Sequence, residues 1–356
     1  MKLPEETQAH LHEALLYEKL GEGSVRCAVC LRRCTIPPGG VGYCWTRLNV
    51  EGTLYALTYG RVAALHFASV ERKPLYHFFP GELMLSLGSV GCNFRCPGCQ
   101  NWHIAHEDAR RAVADIDYVP PEAVVEQAAN AHSLGLSWTY NEPTIWLEYT
   151  LEASRLAKER GLLTNYVTNG ALTPEALRLI GPHLDAFRVD LKGFSRQTYE
   201  RLAHFEDWEG VLEATRLARH QYGMHVECVT NLTPGMNDDP DELRALAGWI
   251  VRELGPDTPW HVTRFLPHLD LAHLPETPLA RLEEAHAIGR AAGLRYVYIG
   301  NVPGHPAEDT YCPRCGRAVI VRSRGARPRV SLVEGTCPNC SAPVAGRFRR
   351  RYTVSE

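Results

Sequence analysis

Short apolar runs alternate with amphipathic stretches through residues 82–302, and this alternation limits the possible folds more than any other feature. Strands are predicted near residues 83–90, 136–139, 162–167, 185–190, 224–230, 260–265 and 295–299. Helices are predicted near residues 121–133, 145–160, 174–181, 207–221, 239–254 and 278–292. Strand–helix repetition at this spacing predicts βαβ units and a parallel sheet. Six or seven units favour a partial, TIM-like (β/α)6 barrel over a doubly wound sheet, so the predicted fold class is α/β.

Polar residues follow each predicted strand at the point where the strand ends. The first strand runs into three cysteines, and the later strands end in Thr139-Tyr140-Asn141-Glu142-Pro143, Thr168-Asn169-Gly170, Asp190-Leu191-Lys192, Thr230-Asn231, Arg264-Phe265-Leu266-Pro267-His268 and Gly300-Asn301. Taken alone, each segment could be a helix cap or a turn. Barrel enzymes build their sites at the C-terminal ends of the strands, so seven such endings predict a shared functional rim.

Cys92, Cys96 and Cys99 follow the first predicted strand in a C-x3-C-x2-C spacing. A structural zinc ion takes four ligands, and a [4Fe–4S] cluster is usually held by four cysteines. Three cysteines leave one iron without a protein ligand, and that iron can bind a small molecule directly. A zinc loop with His103 or His106 as fourth ligand is the alternative. The spacing therefore favours cluster chemistry over a structural metal.

This loop resembles the motif of the radical S-adenosylmethionine (SAM) superfamily, and the resemblance covers residues 82–302. It implies a [4Fe–4S] cluster whose open iron is chelated by the amine and carboxylate of SAM. One electron from the reduced cluster would cleave SAM to methionine and a 5′-deoxyadenosyl radical, which abstracts hydrogen from a substrate. The protein would position these groups and exclude water. The sequence assigns no residue to contact with the substrate.

The resemblance also implies which residues bind the cofactor. Glu142 lies where the superfamily has a Gly-Gly-Glu-like motif and would receive the SAM ammonium group. The Thr168-Asn169-Gly170 segment would lie near the ribose and methionyl groups, and Asp190-Leu191-Lys192 matches a segment of glycyl-radical activating enzymes near the SAM carboxylate, ribose or an adjacent cation. The predicted cofactor-binding residues are Asn141, Glu142, Thr168, Asn169, Asp190, Lys192, Asn231 and Arg264.

Two positions depart from these patterns. The residue before the third cysteine is usually aromatic and helps to hold adenine, whereas here it is Gly98. Trp102 and Tyr140 are candidates to replace it. Glycyl-radical activating enzymes also carry an acidic residue just before the Thr-Asn-Gly segment, whereas here it is Val167. This second departure argues against a cation site like theirs.

A narrower resemblance covers nearly the whole chain. The segments that carry it are Glu71-Arg72-Lys73-Pro74-Leu75-Tyr76-His77-Phe78, Gly91-Cys92-Asn93, Cys99-Gln100-Asn101-Trp102, Thr139-Tyr140-Asn141-Glu142-Pro143, Pro259-Trp260-His261-Val262-Thr263-Arg264-Phe265 and Tyr298-Ile299-Gly300-Asn301-Val302. They resemble the radical SAM enzymes of the AmmeMemoRadiSam system, which are related to pyruvate formate-lyase activating enzymes. This resemblance implies Memo-like and AMMECR-like partner proteins and names no substrate.

Two C-x2-C pairs, Cys312/Cys315 and Cys337/Cys340, lie near the C-terminus and are separated by 21 residues. The spacing indicates a zinc ribbon, and a rubredoxin-like iron site is the alternative with the same geometry. The segment is too small for a substantial core, so metal binding would supply its folding free energy.

Arginines crowd this C-terminal segment. Nine arginines and one acidic residue, Glu334, lie between Gly316 and Arg351. The pattern is compatible with a solvated face and with a docking surface for an acidic protein or RNA.

Four more cysteines, Cys27, Cys30, Cys34 and Cys44, lie near the start of the chain. They can supply four thiolates to one metal site. A zinc ion and a second [4Fe–4S] cluster both fit four thiolates, and structural zinc is slightly preferred. A second cluster would imply electron delivery or substrate binding. A short helix is predicted before Cys27, from Thr7 to Leu20, and a strand after Cys44, at residues 53–58.

The cysteine sets divide the 356 residues into an N-terminal metal-binding region with four cysteines (1–80), a barrel (81–303) and a zinc-ribbon-like module (304–356). A net charge of −3 provides no general attraction to nucleic acid. No apolar run approaches the roughly 20 residues that span a bilayer, and the N-terminal residues do not resemble a signal peptide. The sequence therefore predicts a cytoplasmic protein, in which metal explains twelve cysteines better than disulfides do.

Two isolated residues are assigned structural roles. Cys228 is predicted to be a buried strand residue, because a free cysteine packs as a small apolar side chain. His77 is predicted to be a hydrogen-bonded structural histidine, and a place at the barrel mouth is the alternative.

The leading hypothesis is a radical SAM enzyme that acts on an unidentified substrate. Activation of a glycyl-radical protein is the alternative within that class. A zinc-dependent adaptor for RNA or protein is the alternative from another class, and the presence of Cys92, Cys96, Cys99 and Glu142 argues against it. The chemistry also requires an electron donor such as flavodoxin or ferredoxin.

Overall fold

The computed structural model describes residues 11–322 and 327–350, which form one eight-stranded sheet and three three-stranded sheets. The strands of this part of the chain are β1 (His12–Glu13), β2 (Tyr17–Lys19), β3 (Val25–Cys27), β4 (Thr35–Ile36), β5 (Arg47–Val50), β6 (Thr53–Ala56), β7 (Ala64–Ser69), β8 (Leu83–Gly88), β9 (Gly135–Trp138), β10 (Leu163–Thr168), β11 (Ala186–Asp190), β12 (His225–Leu232), β13 (Trp260–Arg264), β14 (Val297–Gly300), β15 (Thr310–Tyr311), β16 (Ala318–Val321) and β17 (Arg329–Val330). The α-helices are Trp102–Ala105, Ala109–Ala112, Pro121–Asn130, Leu147–Glu159, Pro174–Ile180, Arg196–Ala203, Trp208–His220, Pro240–Trp249 and Leu279–Ala291.

The central sheet has the strand order β14-β13-β12-β11-β10-β9-β8-β7, which is simply the order along the chain. Strands β8 to β14 are parallel, and β7 pairs antiparallel with β8. A doubly wound sheet reverses its strand order at a switch point, and this sheet does not. The predicted α/β fold of the partial-barrel type is therefore confirmed, and all seven predicted strands are present.

Side chains alternate between the two faces of the sheet, as strand geometry requires. Trp138 and Trp260 are completely buried in the apolar core that the helices cover. Ser137, Arg188 and Glu227 lie on the other face of the sheet, which lines the interior of the partial barrel. This inner face is therefore rich in buried polar side chains. Burial of the apolar outer layer stabilises the fold, which leaves the inner face available for chemistry.

The N-terminal region forms two small sheets, β1-β6-β5 and β2-β3-β4. The helix predicted from Thr7 to Leu20 is wrong over residues 11–20, which contain β1 and β2, and residues 7–10 lie outside the described part of the chain. Distant partners decide this segment, because the Ala14 amide donates to the carbonyl of Leu54 at 2.8 Å. Tertiary contacts of this kind override helix propensity. The strand predicted at residues 53–58 is confirmed as β6.

The sequence patterns did not reveal β7, the short helices Trp102–Ala105 and Ala109–Ala112, or helix Arg196–Ala203. Strand β7 closes one edge of the sheet against β8, and helix Arg196–Ala203 follows β11. The N-cap of that helix, Ser195, accepts a hydrogen bond from the Thr198 amide at 3.2 Å. A serine before a stretch that buries Tyr199 and Leu202 is a recognisable start signal.

The C-terminal module packs against the end of the sheet at which the parallel strands begin. Arg347 donates to the carbonyl of Gly223, just before β12, at 2.9 Å. Arg349 donates to Glu82, just before β8, at 2.7 Å. The Arg347 amide donates to the carbonyl of His77 at 2.7 Å, and the Phe79 amide donates to the carbonyl of Arg347 at 2.7 Å. The module therefore lies at the opposite end of the sheet from the Cys92 loop, which follows β8.

The α-helices of residues 11–322 and 327–350 are all too short or too polar to cross a lipid bilayer.

Candidate active site and metal centres

Cys92, Cys96 and Cys99 lie on the loop between β8 and helix Trp102–Ala105, and all three are partly buried free thiols. The loop begins at Gly91, which has a φ of 82°. A Cβ atom at this position would lie 2.6 Å from the carbonyl oxygen of Cys44, so another residue would not fit. The first cysteine of the loop is thereby placed directly beside the N-terminal region.

Asn141, one of the predicted cofactor-binding residues, uses its side chain to hold this loop. Its Oδ1 accepts from the Ser89 amide at 3.1 Å, and its Nδ2 donates to the carbonyl of Gly91 at 2.9 Å. Both polar atoms of the amide are therefore bonded to the chain between β8 and Cys92. The loop after β9 fixes the path of the cysteine loop after β8.

Glu142 is completely enclosed and joins the ends of β9 and β10. Its Oε1 accepts from the Thr168 hydroxyl at 2.7 Å and from the Thr144 amide at 3.0 Å. Its Oε2 accepts from the Asn169 amide at 2.7 Å. Burial nevertheless raises the pKa of this carboxyl. A cation or a further hydrogen-bond donor beside Glu142 would stabilise its charged form.

Asn169 connects this network to the first cysteine. Its Nδ2 donates to Asn93 Oδ1 at 2.7 Å and lies 3.9 Å from the Sγ atom of Cys92. Its Oδ1 accepts from the Ala171 amide at 3.0 Å. The structure thus brings Asn141, Glu142, Thr168 and Asn169 together around the Cys92 end of the loop.

Asp190 and Lys192 lie at the end of β11, on the other side of the cysteine loop. Arg188 NH1 lies 2.8 Å from Asp190 Oδ2, and Lys192 Nζ lies 4.0 Å from the same oxygen. Burial would raise the pKa of Asp190, but Arg188 and Lys192 outweigh it and lower that pKa. Burial lowers the pKa of Lys192, but Asp190 and the nearby Cys96 raise it overall. Both groups are therefore charged at neutral pH, and Lys192 places a positive charge beside the thiols.

Asn231 and Arg264 form a separate pair at the ends of β12 and β13. Asn231 Nδ2 donates to Thr263 Oγ1 at 3.0 Å and to the carbonyl of Arg264 at 3.1 Å. Arg264 contacts Glu276 at 3.7 Å, while its buried Nε makes no hydrogen bond to the described residues. Asn231 and Arg264 lie on the same rim as the cysteine loop. In the described part of the chain, no hydrogen bond joins either residue to that loop.

The region around Gly98 explains the missing aromatic residue. A Cβ atom on Gly98 would lie 3.1 Å from Phe265 and 3.1 Å from Leu271. The amide of Asp270 also donates to the carbonyl of Pro97 at 2.9 Å. The segment after β13 therefore packs over Pro97 and Gly98, directly before the third cysteine, and supplies apolar surface where a side chain at position 98 would lie. Sequence reasoning overlooked Phe265 and Leu271 in this role, although their segment follows a predicted strand.

Burial determines the protonation of the loop thiols. It raises the pKa of Cys92 and Cys96, and it raises the pKa of Cys99 to about 11. The thiols are therefore protonated at neutral pH in the absence of a metal, and metal binding must release their protons. Three thiols on one short loop, with a lysine beside them and without a fourth cysteine, suit a [4Fe–4S] cluster that has one open iron.

The four C-terminal cysteines form a compact set. Sγ atoms of Cys312 and Cys340 lie 3.6 Å apart, and those of Cys315 and Cys337 lie 3.7 Å apart. Tetrahedral ligands at the usual Zn–S distance are about 3.8 Å apart. Among residues 11–322 and 327–350, this is the one group of three or more Cys, His, Asp or Glu residues whose ligand atoms all lie within 4.8 Å. Its geometry suits a single metal ion.

Several arginines of the C-terminal module bind the barrel. Arg327 and Arg349 contact the two oxygens of Glu82 at 3.0 and 2.7 Å. Arg322 stacks on the ring of Tyr76 at 3.9 Å. These three arginines attach the module to the rest of the chain, so part of the arginine-rich composition has an explanation within the fold.

Comparisons with known proteins agree with this geometry. Residues 87–250 match the family described as the Radical SAM superfamily. The uncharacterized protein MJ0808 of Methanocaldococcus jannaschii is 41% identical over 314 residues, which are 88% of this chain and 92% of that protein. The chain belongs to the radical SAM superfamily. It is therefore an enzyme, and membership implies a [4Fe–4S] cluster and SAM, for which the Cys92 loop provides suitable ligands.

Two further similarities are more distant. A second protein of Methanocaldococcus jannaschii, MJ1227, whose name proposes a glycyl-radical enzyme activating enzyme, is 28% identical over 173 residues, or 46% of this chain and 67% of that protein. The crystal structure of a radical SAM methyltransferase from Sphaerobacter thermophilus matches with a TM-score of 0.49 and 17% identity, over 62% of this chain and 67% of that chain. A similarity of this size gives no information about the substrate.

Proposed function

We propose that this protein binds a [4Fe–4S] cluster through Cys92, Cys96 and Cys99 and cleaves SAM reductively, so that a 5′-deoxyadenosyl radical abstracts hydrogen from a substrate. The observation that carries the proposal is the position of the three thiols. They lie at the C-terminal ends of the parallel strands, with Asn169 and Lys192 beside them. The cluster supplies the electron and SAM supplies the deoxyadenosyl group.

The residues of the chain would hold these groups in place. Asn141 fixes the cysteine loop, and Glu142 fixes Thr168 and Asn169 against it. The remaining acceptor capacity of Glu142 is directed to the SAM ammonium group. Lys192 and the buried Nε of Arg264 provide positive charge on the rim for the SAM carboxylate or an anionic part of the substrate. Asp190 holds Lys192, and Asn231 holds the backbone of Arg264.

The division into residues 1–80, 81–303 and 304–356 belongs to the same proposal, with zinc at the C-terminal cysteines. The 3.6–3.7 Å sulfur distances support one metal ion there, and zinc is the usual ion of paired C-x2-C knuckles. Iron in a rubredoxin-like site has the same geometry, and metal analysis distinguishes the two.

We also propose membership of the AmmeMemoRadiSam subfamily on the basis of its sequence segments. This proposal includes a cytoplasmic location and Memo-like and AMMECR-like partners. Superfamily members generally need a reductant and a substrate, and a flavodoxin or ferredoxin is the proposed electron donor.

Activation of a glycyl-radical protein is the second candidate function. The similarity to MJ1227 and the Asp190-Leu191-Lys192 segment favour it. Val167 argues against it, because an acidic residue is expected there. An adaptor for RNA has weaker support, since three of the nine arginines that suggested it, Arg322, Arg327 and Arg349, contact Tyr76 or Glu82.

Anaerobic SAM cleavage tests the proposed function. The protein is reconstituted with iron and sulfide, reduced with dithionite and mixed with SAM, and 5′-deoxyadenosine is quantified. We expect formation by the wild type and by Cys228→Ala, a control that removes a buried thiol outside the metal sites. We expect none with the Cys92/Cys96/Cys99→Ala variant. Absence of 5′-deoxyadenosine from a wild-type protein that holds its cluster would contradict the proposal.

A further inference from the structure

The N-terminal cysteines lie at the functional end of the barrel. Cys27, Cys30 and Cys44 are buried, and Cys34 is partly exposed. Cys30 forms a β-bridge with Leu172, in the loop after β10. The set is therefore a buried group of thiols with one member near the surface, and it contacts the rim where the Cys92 loop lies.

The spacing of these thiols differs from that of the C-terminal set. In the described part of the chain, the ligand atoms of three or more residues lie within 4.8 Å of one another only at Cys312, Cys315, Cys337 and Cys340. No three of the N-terminal cysteines meet this limit, nor do the three cysteines of the Cys92 loop. Ligands of one zinc ion must lie about 3.8 Å apart, whereas the thiolates of a cubane cluster bind different iron atoms and lie further apart. The N-terminal set resembles the cluster loop in this respect.

Two arginines join the N-terminal set to the Cys92 loop. Arg95 donates to the carbonyl of Cys92 at 2.6 Å and to the carbonyl of Tyr43, next to Cys44, at 2.7 Å. Arg32, between Cys30 and Cys34 in sequence, donates to the carbonyl of Asn93 at 2.5 Å. A single side chain thus spans from the residue before Cys44 to Cys92.

The loop after β10 contacts both sets of cysteines. The carbonyl of Ala171 accepts from the Leu31 amide at 3.2 Å and from Asn93 Nδ2 at 3.2 Å. Leu31 follows Cys30, and Asn93 follows Cys92. A Cβ atom at Gly91 would lie 2.6 Å from the Cys44 carbonyl oxygen, which excludes a side chain there. Together these contacts hold the N-terminal cysteines directly against the Cys92 loop.

We propose that Cys27, Cys30, Cys34 and Cys44 hold a second [4Fe–4S] cluster that accepts one electron from a flavodoxin- or ferredoxin-type donor and passes it to the cluster at Cys92, Cys96 and Cys99. The second cluster is reduced by the donor and reoxidised by the first, so one electron moves and no bond changes. Arg32 and Arg95 lie between the sites and stabilise the added negative charge. Cys34 marks the face at which the donor would approach. The relay rests on the proposed function, whereas occupancy by the second cluster can be tested without SAM cleavage.

Metal analysis of the reconstituted Cys92/Cys96/Cys99→Ala variant tests the second cluster. We expect about four iron atoms per chain in this variant and about eight in the wild type, with about one zinc ion in each. The reduced variant should give a [4Fe–4S] electron paramagnetic resonance signal that SAM does not change. About two zinc ions and no cluster iron in the variant would overturn the proposal, whether or not the wild type cleaves SAM.

The relay is tested with the Cys30→Ser/Cys34→Ser variant and with Cys34→Ser, the partly exposed position. With flavodoxin, its reductase and NADPH as the electron source, we expect SAM cleavage by both variants to fall to the level measured without flavodoxin. With dithionite, a small reductant that can reach the Cys92 cluster itself, the rate should stay at the wild-type level. Cys228→Ser is the thiol control, and retained zinc with a SAM-sensitive resonance signal shows that the variants are folded. Wild-type flavodoxin-driven rates in folded variants that lack the second cluster would exclude the relay.

Discussion

The two four-cysteine sets of this chain lie at opposite ends of the barrel and differ in geometry. The C-terminal cysteines have sulfur pairs at 3.6 and 3.7 Å and lie where the parallel strands begin. The N-terminal cysteines are more widely spaced and contact the Cys92 loop, where the strands end. The same residue type is therefore expected to serve different purposes: a single ion in the C-terminal set would supplement a small core, while the N-terminal set lies next to the Cys92 loop.

The two modules also differ in how they are attached. The C-terminal module is attached by the partly exposed side chains of Arg347, Arg327 and Arg349 and by backbone hydrogen bonds of Arg347 with His77 and Phe79. Backbone contacts and a buried ion pair attach the N-terminal region, in which Arg47 donates to Glu148 at 2.7 Å. Changes at one end should therefore leave the other end intact.

The largest expected effect is the unfolding of the C-terminal module in Cys337→Ser. This cysteine is buried, and metal binding supplies the folding free energy of a module with so small a core. In zinc-finger peptides the metal contributes about 10–16 kcal/mol at neutral pH. We expect zinc to be lost and limited proteolysis to cleave within residues 304–350, while the iron content remains at the wild-type value.

Cys228→Ser is again the matched control, because Cys228 is equally buried but lies in β12, away from the metal loops. It should retain zinc and resist proteolysis in this region. A Cys337→Ser protein that loses iron along with zinc would show that the two ends are coupled.

An intermediate effect is expected for Arg47→Leu, at the base of the N-terminal region. Both side chains of the Arg47–Glu148 pair are almost completely buried, and Arg47 also donates to the carbonyl of Ile145 at 3.0 Å. Removal of the arginine leaves the carboxylate buried without its partner, which typically costs about 3–5 kcal/mol. Urea unfolding should show this loss in the free energy of unfolding. Arg26→Leu is the control. It breaks the exposed Arg26–Glu18 pair and should change the free energy of unfolding by about 1 kcal/mol or less.

The sequence predicted the barrel well because its information is local. Each parallel strand carries buried apolar residues, each long helix buries one side, and the cysteine loop is contiguous. The N-terminal residues 11–20 were predicted incorrectly because their partners, such as Leu54 and Glu148, are distant in sequence. The contact of Cys44 with Gly91 depends on packing between regions, which no local pattern contains.

The predicted rim was also only partly informative. The adjacent strand ends with Glu142, Thr168 and Asn169 do meet at the cysteine loop, as neighbouring parallel strands require. The contact of Phe265 and Leu271 with Gly98 was not predicted, because it depends on how the loop after β13 folds back over Pro97 and Gly98. Apolar residues in a loop give no sign of which neighbour they will cover.

The smallest expected effect concerns pH and the attachment of the C-terminal module. His77 is completely buried, and its Nδ1 and Nε2 contact the carbonyl of Ala345 and the hydroxyl of Tyr298, each at 2.5 Å. Since a carbonyl can only accept, Nδ1 carries the proton of the neutral ring. Burial lowers the pKa of His77 to about 4, from its usual 6.5. The unfolded chain therefore binds a proton that the folded chain does not, and stability falls as the pH drops from about 6.5 towards about 4.

Between about pH 7.5 and 5.5 this histidine should account for a loss of about 1.3 kcal/mol, which His77→Gln should remove. His261, whose pKa burial also lowers despite the adjacent Glu227, adds pH dependence of the same sign in both proteins, so the variant should have a shallower slope rather than none. Urea midpoints at the two pH values measure the difference, and His220→Gln, at an exposed position, is the control. An equal slope in His77→Gln and wild type would show that His77 does not couple protonation to the attachment of the C-terminal module. If His77→Gln has a shallower slope and zinc rather than iron is lost at acidic pH, the coupling lies at the C-terminal end. The iron bound at the other end is the internal reference.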